Sequence, residues 1–239
     1  MKAPGKETMS AAGDRGFGSG SRIEALLRSA GFEEQLNRLL ESGSRKIISR
    51  LLSCLYSPDE ELKWRAVTAV GMTAARIADE DMEAGRVVMR RLIWSLNDES
   101  GGIGWGAPEA MGEIMARHAG LADEYFRILV SYIDADGNPL ENVWLERGVL
   151  WGIGRLAQVR PHLIKDCVRQ LASRLDSEDA VHRGFAAWAL GFLDSSAYTD
   201  RLSRLLEDRS SVLLFENGCL TRLQVSDLAA RALQRNRGF

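Results

Sequence analysis

The chain has 239 residues, 45% hydrophobic and 27% charged, and carries a net charge of −2 at pH 7. No apolar run approaches the roughly 18 residues that a membrane-spanning helix needs. Cys54, Cys167 and Cys219 are far apart and form no CxxC pair, so neither a zinc knuckle nor a disulfide framework is supported. Each sits among apolar neighbours and reads as a reduced, packed thiol, which points to a cytoplasmic protein.

Residues 1–21 hold few large apolar side chains and end in Gly16-Phe-Gly-Ser-Gly-Ser21. They read as a flexible tail, followed by a single domain over residues 22–239. A helical period begins at Arg22 and breaks at Ala30-Gly31, and Arg45–Tyr56 gives a first outer helix. Ser57-Pro58-Asp59 then supplies a stop and an N-cap signal. Further outer helices are expected near 80–96, 121–133, 161–175 and 198–207. Acidic turns at Asp59, Asp98-Glu99 and Asp176–Asp179 precede inner helices, where carboxylates suit free amides and the positive dipole end.

The inner helices share a six-residue pattern. It runs Ala66–Gly71, Ala107–Gly112, Val149–Gly154 and Ala186–Gly191, with a degraded copy at Leu228–Leu233. The closing glycines are 41, 42 and 37 residues apart. A period near 40 with small-residue helical signatures marks stacked helix pairs, none able to bury its apolar face alone. Small residues at positions one and four allow close helix approach, and Val70, Met111, Ile153 and Leu190 fill the core. The expected fold is an all-α, right-handed superhelix of about five helix pairs.

Residues 45–235 resemble the HEAT-like repeat family on this pattern, in particular its short-repeat branch with phycobilin-lyase-like members. The arginine usual near the inner-helix start is present as Arg65 and Arg183, is replaced by Gly106, and is shifted by one as Arg147. The chain is also similar to uncharacterised HEAT-like proteins of sulfate-reducing bacteria. These resemblances imply a solenoid; the lyase-like branch further implies small-molecule or tetrapyrrole handling as a lyase or chaperone.

Two segments interrupt the repeat. Ser100–Pro108 is too rich in glycine for plain helix. At about 212–225, Asn217-Gly218 lies between two β-prone runs, the signal of a hairpin with a type I′ turn. Such a hairpin is expected to lie over the last helix pair and cover the end of the solenoid.

A second helical stripe carries the candidate site. Positions ten, seven and three before each motif glycine, and one after it, fall opposite the core positions. This stripe holds Trp64, Trp105, Trp144, Trp151 and Trp188 together with Glu109, Glu113, Arg147 and Arg155. Only Trp94, among the six tryptophans, lies elsewhere. Inner helices line the concave side of a solenoid, so the expected site is an aromatic groove of Trp105, Glu109, Glu113, Trp144, Arg147, Trp151, Arg155 and Trp188. The competing reading packs these indoles against one another, with Trp64 and Trp188 as its first candidates.

No catalytic residue, metal ligand or cofactor is assigned. His118, His162 and His182 share no ligand spacing, and Asp134–Asn138 departs from a calcium loop in its glycine and in Leu145 at position twelve. Glu109 and Glu113, one turn apart, could act as acid and base, but no metal ligand or second carboxylate pair accompanies them. Residues 79–146 carry a net charge of −9 against +7 for the rest of the chain. An acidic middle disfavours nucleic acid. The sequence points instead to a scaffold for a protein or peptide partner of basic character.

Overall fold

The computed structural model describes residues 19–41, 43–96 and 104–236. Residues 1–18 of the expected tail and residues 97–103, which include the start of the glycine-rich turn, lie outside these. Helices α1 (Ser19–Arg28) and α2 (Phe32–Leu40) come first, turning at Gly31, whose φ of 66° suits glycine. Thus α1 starts three residues before the expected boundary.

Five helix pairs follow. The outer layer is α3 (Ile48–Cys54), α5 (Met82–Leu96), α7 (Ala119–Ser131), the short α9 (Pro161–Ile164) and α10 (Val168–Ser173), and α12 (Thr199–Arg204). The inner layer is α4 (Glu60–Glu80), α6 (Ala107–Arg117), α8 (Val143–Val159), α11 (Ala180–Leu190) and α13 (Val225–Asn236). Each inner helix packs on the next inner helix along the chain, which is the stacking of a solenoid.

Caps set the inner-helix starts. Asp59 accepts from the Leu62 amide, Asn142 from those of Trp144 and Leu145, and Asp179 from those of Val181 and His182. Helix α6 differs: Gly106 stands before it with φ 74°, and Pro108 occupies its first turn, where no amide is needed. The acidic pair Asp98-Glu99 falls outside the described residues.

The motif glycines sit where inner helices cross. A Cβ on Gly112 would lie 2.3 Å from the Gly152 Cα, and one on Gly71 would lie 2.5 Å from the Glu113 Cγ. On Gly154 it would meet the Trp188 ring at 2.3 Å. No side chain fits at such separations, so the repeat of glycine follows from the spacing of the layer. Val70, Met111, Ile153 and Leu190 are all fully buried, as the pattern requires.

Strands β1 (Ser211–Glu216) and β2 (Cys219–Gln224) pair antiparallel, with Glu216 opposite Cys219. Asn217 and Gly218 turn the hairpin with φ of 53° and 78°, both left-handed, as a type I′ turn demands. The hairpin packs on α11 and α13 near the end of the stack, as expected, and it also reaches further than expected. Helix α13 itself packs on α11 and α12 at the end of the stack, while β1 reaches back across the inner layer. Alternation explains why: Val212 and Leu214 point one way and are buried, and Phe215 is drawn under by its aromatic neighbours. Cys54 and Cys167 are buried, with burial pushing the Cys167 thiol up to about 12, but Cys219 is exposed beside the turn.

Candidate functional site

Strand β1 divides the tryptophan stripe in two. Phe215 stacks on Trp64 at 5.1 Å between ring centroids and lies 6.3 Å from Trp151. Trp64 and Trp151, two repeats apart, are themselves 4.7 Å apart, and Trp188 stacks on Trp151 at 6.3 Å. The indole N–H of Trp151 donates to the Phe215 carbonyl at 2.9 Å, and that of Trp188 to Glu216 Oε1 at 3.0 Å. The chain thus lays its own extended segment in the concave face.

This corrects the expected open groove at four residues. Trp151 is 1% exposed, and Trp188 and Glu113 are likewise buried. Glu113 accepts from Arg117 Nε at 2.6 Å and from Arg155 Nε at 2.7 Å, a buried carboxylate neutralised from both sides. Arg155 is committed to that pair and to Gln158 at 2.9 Å. Together with the hairpin tip these four residues line a cavity of about 200 Å³. The physical reason is that large indoles leave water whenever a complementary surface is available, and β1 supplies one.

The other four residues border a second cavity, of about 570 Å³, on the N-terminal side of the inner helices. Trp144 is 58% exposed and Trp105 37%, and their rings meet edge to face at 6.4 Å. Arg147 lies over the Trp144 ring at 4.0 Å, within cation–π range, and also binds Asp179 at 2.5 Å. Burial by itself would raise the Asp179 carboxyl; the Arg147 guanidinium and the His182 amide outweigh it and hold the group below its ordinary range. Arg147 is therefore a rim residue fixed to the cap of the next inner helix.

Glu109 lies deepest. It is 7% exposed, in the first turn of α6 and among the cavity's lining residues. Its Oε1 is 3.9 Å from Lys63 Nζ, and its Oε2 has no hydrogen-bond partner among the described residues. A Cβ on Gly148 would come within 2.4 Å of Oε2, so the carboxyl in this position packs directly on the α8 backbone and would have to swing away from any larger residue. Burial raises the carboxyl above its ordinary pKa, with Lys63 opposing. Apolar walls come from Leu55, Trp64, Leu145, Val181, Phe185 and Leu213. The stripe could be read from periodicity; Lys63, Gly148 and Phe185 could not, because their part depends on neighbouring helices.

A model of the HEAT-like repeat matches residues 144–193. That segment is similar to a HEAT-like repeat. An uncharacterized protein of Archaeoglobus fulgidus is 28% identical over 183 residues, which cover 75% of this chain and 92% of that one. Among solved structures, an engineered protein superposes with a TM-score of 0.57 at 16% identity, over 92% of this chain and 89% of its own. A designed armadillo repeat protein in complex with the peptide (KR)4 gives 0.55 at 18% identity, over 91% of each chain. These likenesses show the solenoid fold. The match is to the HEAT-like repeat in general and does not extend to the phycobilin-lyase-like branch. No helix of the described residues is long and apolar enough to cross a membrane.

Proposed function

We propose that the chain is a non-catalytic binding module that captures a basic protein or peptide partner at the 570 Å³ cavity, anchored by Trp105 and Trp144. The carrying observation is the contrast within one stripe: Trp64, Trp151 and Trp188 are covered by the chain itself, while these two indoles stand exposed beside an apolar hollow. Exposed tryptophans around a concave patch are where binding energy concentrates. The acidic balance of residues 79–146 favours a cationic partner. Because β1 fills the middle of the concave face, the partner inserts a short anchor and does not run the length of the layer. A small organic ligand is the second reading, favoured by the compactness of the same cavity.

The test is capture from lysate with wild-type protein, Trp105→Ala and Trp144→Ala, followed by cross-linking of the retained protein. The expected outcome is loss of the captured partner in both variants with unchanged thermal stability. Equal capture by all three would sink the reading.

A further inference from the structure

Resting on the reading of this cavity as the anchor site, we propose that it receives one lysine side chain of the partner, whose ammonium pairs with the Glu109 carboxylate. The first observation is an unmet need. Glu109 is 7% exposed and one of its oxygens has no partner, whereas Glu113, one turn on, has two arginines. A buried carboxylate without a full set of donors is costly, so a ligand that supplies a donor gains what the free protein lacks.

The charges facing the cavity set the sign of the missing group. Helix α4 contributes Glu60 and Lys63, which pair at 3.3 Å, and α6 contributes Glu109. With Arg147 of α8 held by Asp179, two carboxylates face one ammonium, and one added positive charge balances the set. Helix N-termini on this side would otherwise attract an anion. Carboxylate or amide side chains already occupy part of these ends: Asp59, Asn142 and Asp179 cap α4, α8 and α11, and the Ala107 amide at the start of α6 donates to the Gly104 carbonyl.

Shape selects lysine over arginine. A guanidinium fork matches two free carboxylate oxygens, but Oε1 of Glu109 already faces Lys63. An ammonium is a compact point charge that needs one oxygen, and the broad terminal torsion of glutamate lets Oε2 turn to meet it. The four-carbon stem then lies along Trp64, Leu145 and Phe185, while Trp105 and Trp144 close over it at the mouth.

The test uses blocked peptides Gly-Ser-Xaa-Ser-Gly, with Xaa lysine, arginine, norleucine or glutamate, and follows the indole N–H signals of the full chain by NMR. The lysine peptide is expected to saturate shifts at Trp105 and Trp144 in the millimolar range, about tenfold tighter than the others. In Glu109→Gln that preference should fall to about nothing while weak binding persists. Equal binding of norleucine and lysine, or unchanged preference in Glu109→Gln, overturns the ammonium pairing but leaves the anchor cavity standing. Tightest binding of the arginine or glutamate peptide also overturns it. So does saturation by n-butylamine without any response to the lysine peptide, which would make the ligand a free amine. Absence of any shift at either indole with any peptide overturns both the pairing and the cavity reading. Should Glu109→Gln be unfolded, the lysine-to-norleucine ratio on the wild-type chain decides alone.

Discussion

The two ends of the tryptophan stripe share a sequence origin and differ in fate. Around Trp151 and Trp188 the indoles are covered by β1, their N–H groups are satisfied, and the nearby carboxylate of Glu113 has two arginine partners. Around Trp105 and Trp144 the rings are exposed and the nearby carboxylate of Glu109 lacks a partner on one oxygen. One half of the concave face is finished by the chain itself. The other half is built to a similar pattern and left open.

Breaking the covered half should have the largest effect. Trp151→Ala removes a fully buried indole and its bond to the Phe215 carbonyl, and is expected to cost about 3–5 kcal/mol. Chemical denaturation measures this directly, and a loss below about 1 kcal/mol would mean that β1 does not pack on the stripe in solution.

Next comes the spacing of the layer that both halves share. Gly112→Ala and Gly154→Ala each force a Cβ to 2.3 Å from a neighbouring helix and should cost about 1–3 kcal/mol in the same assay. Gly184→Ala, whose nearest neighbours are side chains at 3.2–3.3 Å, serves as the control and should cost clearly less.

A smaller effect separates the two carboxylates by pH. Glu109 has its pKa raised by burial, against Lys63, with Glu60 adding to the rise. A raised carboxyl pKa destabilises the fold above that pKa, and the penalty is relieved as pH falls toward the ordinary glutamate range. Wild-type protein should therefore gain stability relative to Glu109→Gln as pH is lowered through that window, read from thermal unfolding at several pH values. A difference that stays flat across the window would show that Glu109 is solvated or fully paired.

The smallest effect is expected at the open end. Trp144→Ala loses an exposed ring with its contacts to Arg147 and to the partly exposed Trp105, so stability should change by less than about 1 kcal/mol. A large loss there would move Trp144 from the site to the core.

Periodicity by itself determined much of this protein. The recurrence of the motif glycines specified an inner helical layer, because each such position must pass a neighbouring backbone or ring at close range. Asn217-Gly218 specified a hairpin, since few other residue pairs accept two left-handed conformations in succession. The opposition of motif and stripe placed the five tryptophans on the concave side. Tertiary structure alone decided which of them meet solvent. Whether an indole on that side is buried depends on where a strand more than twenty residues further along comes to rest, and local sequence does not encode that docking. The pairing of the two carboxylates was also only partly legible: Glu113 has Arg117 one turn away in its own helix, but its second arginine, Arg155, and the Lys63 ammonium near Glu109 come from helices about forty residues away.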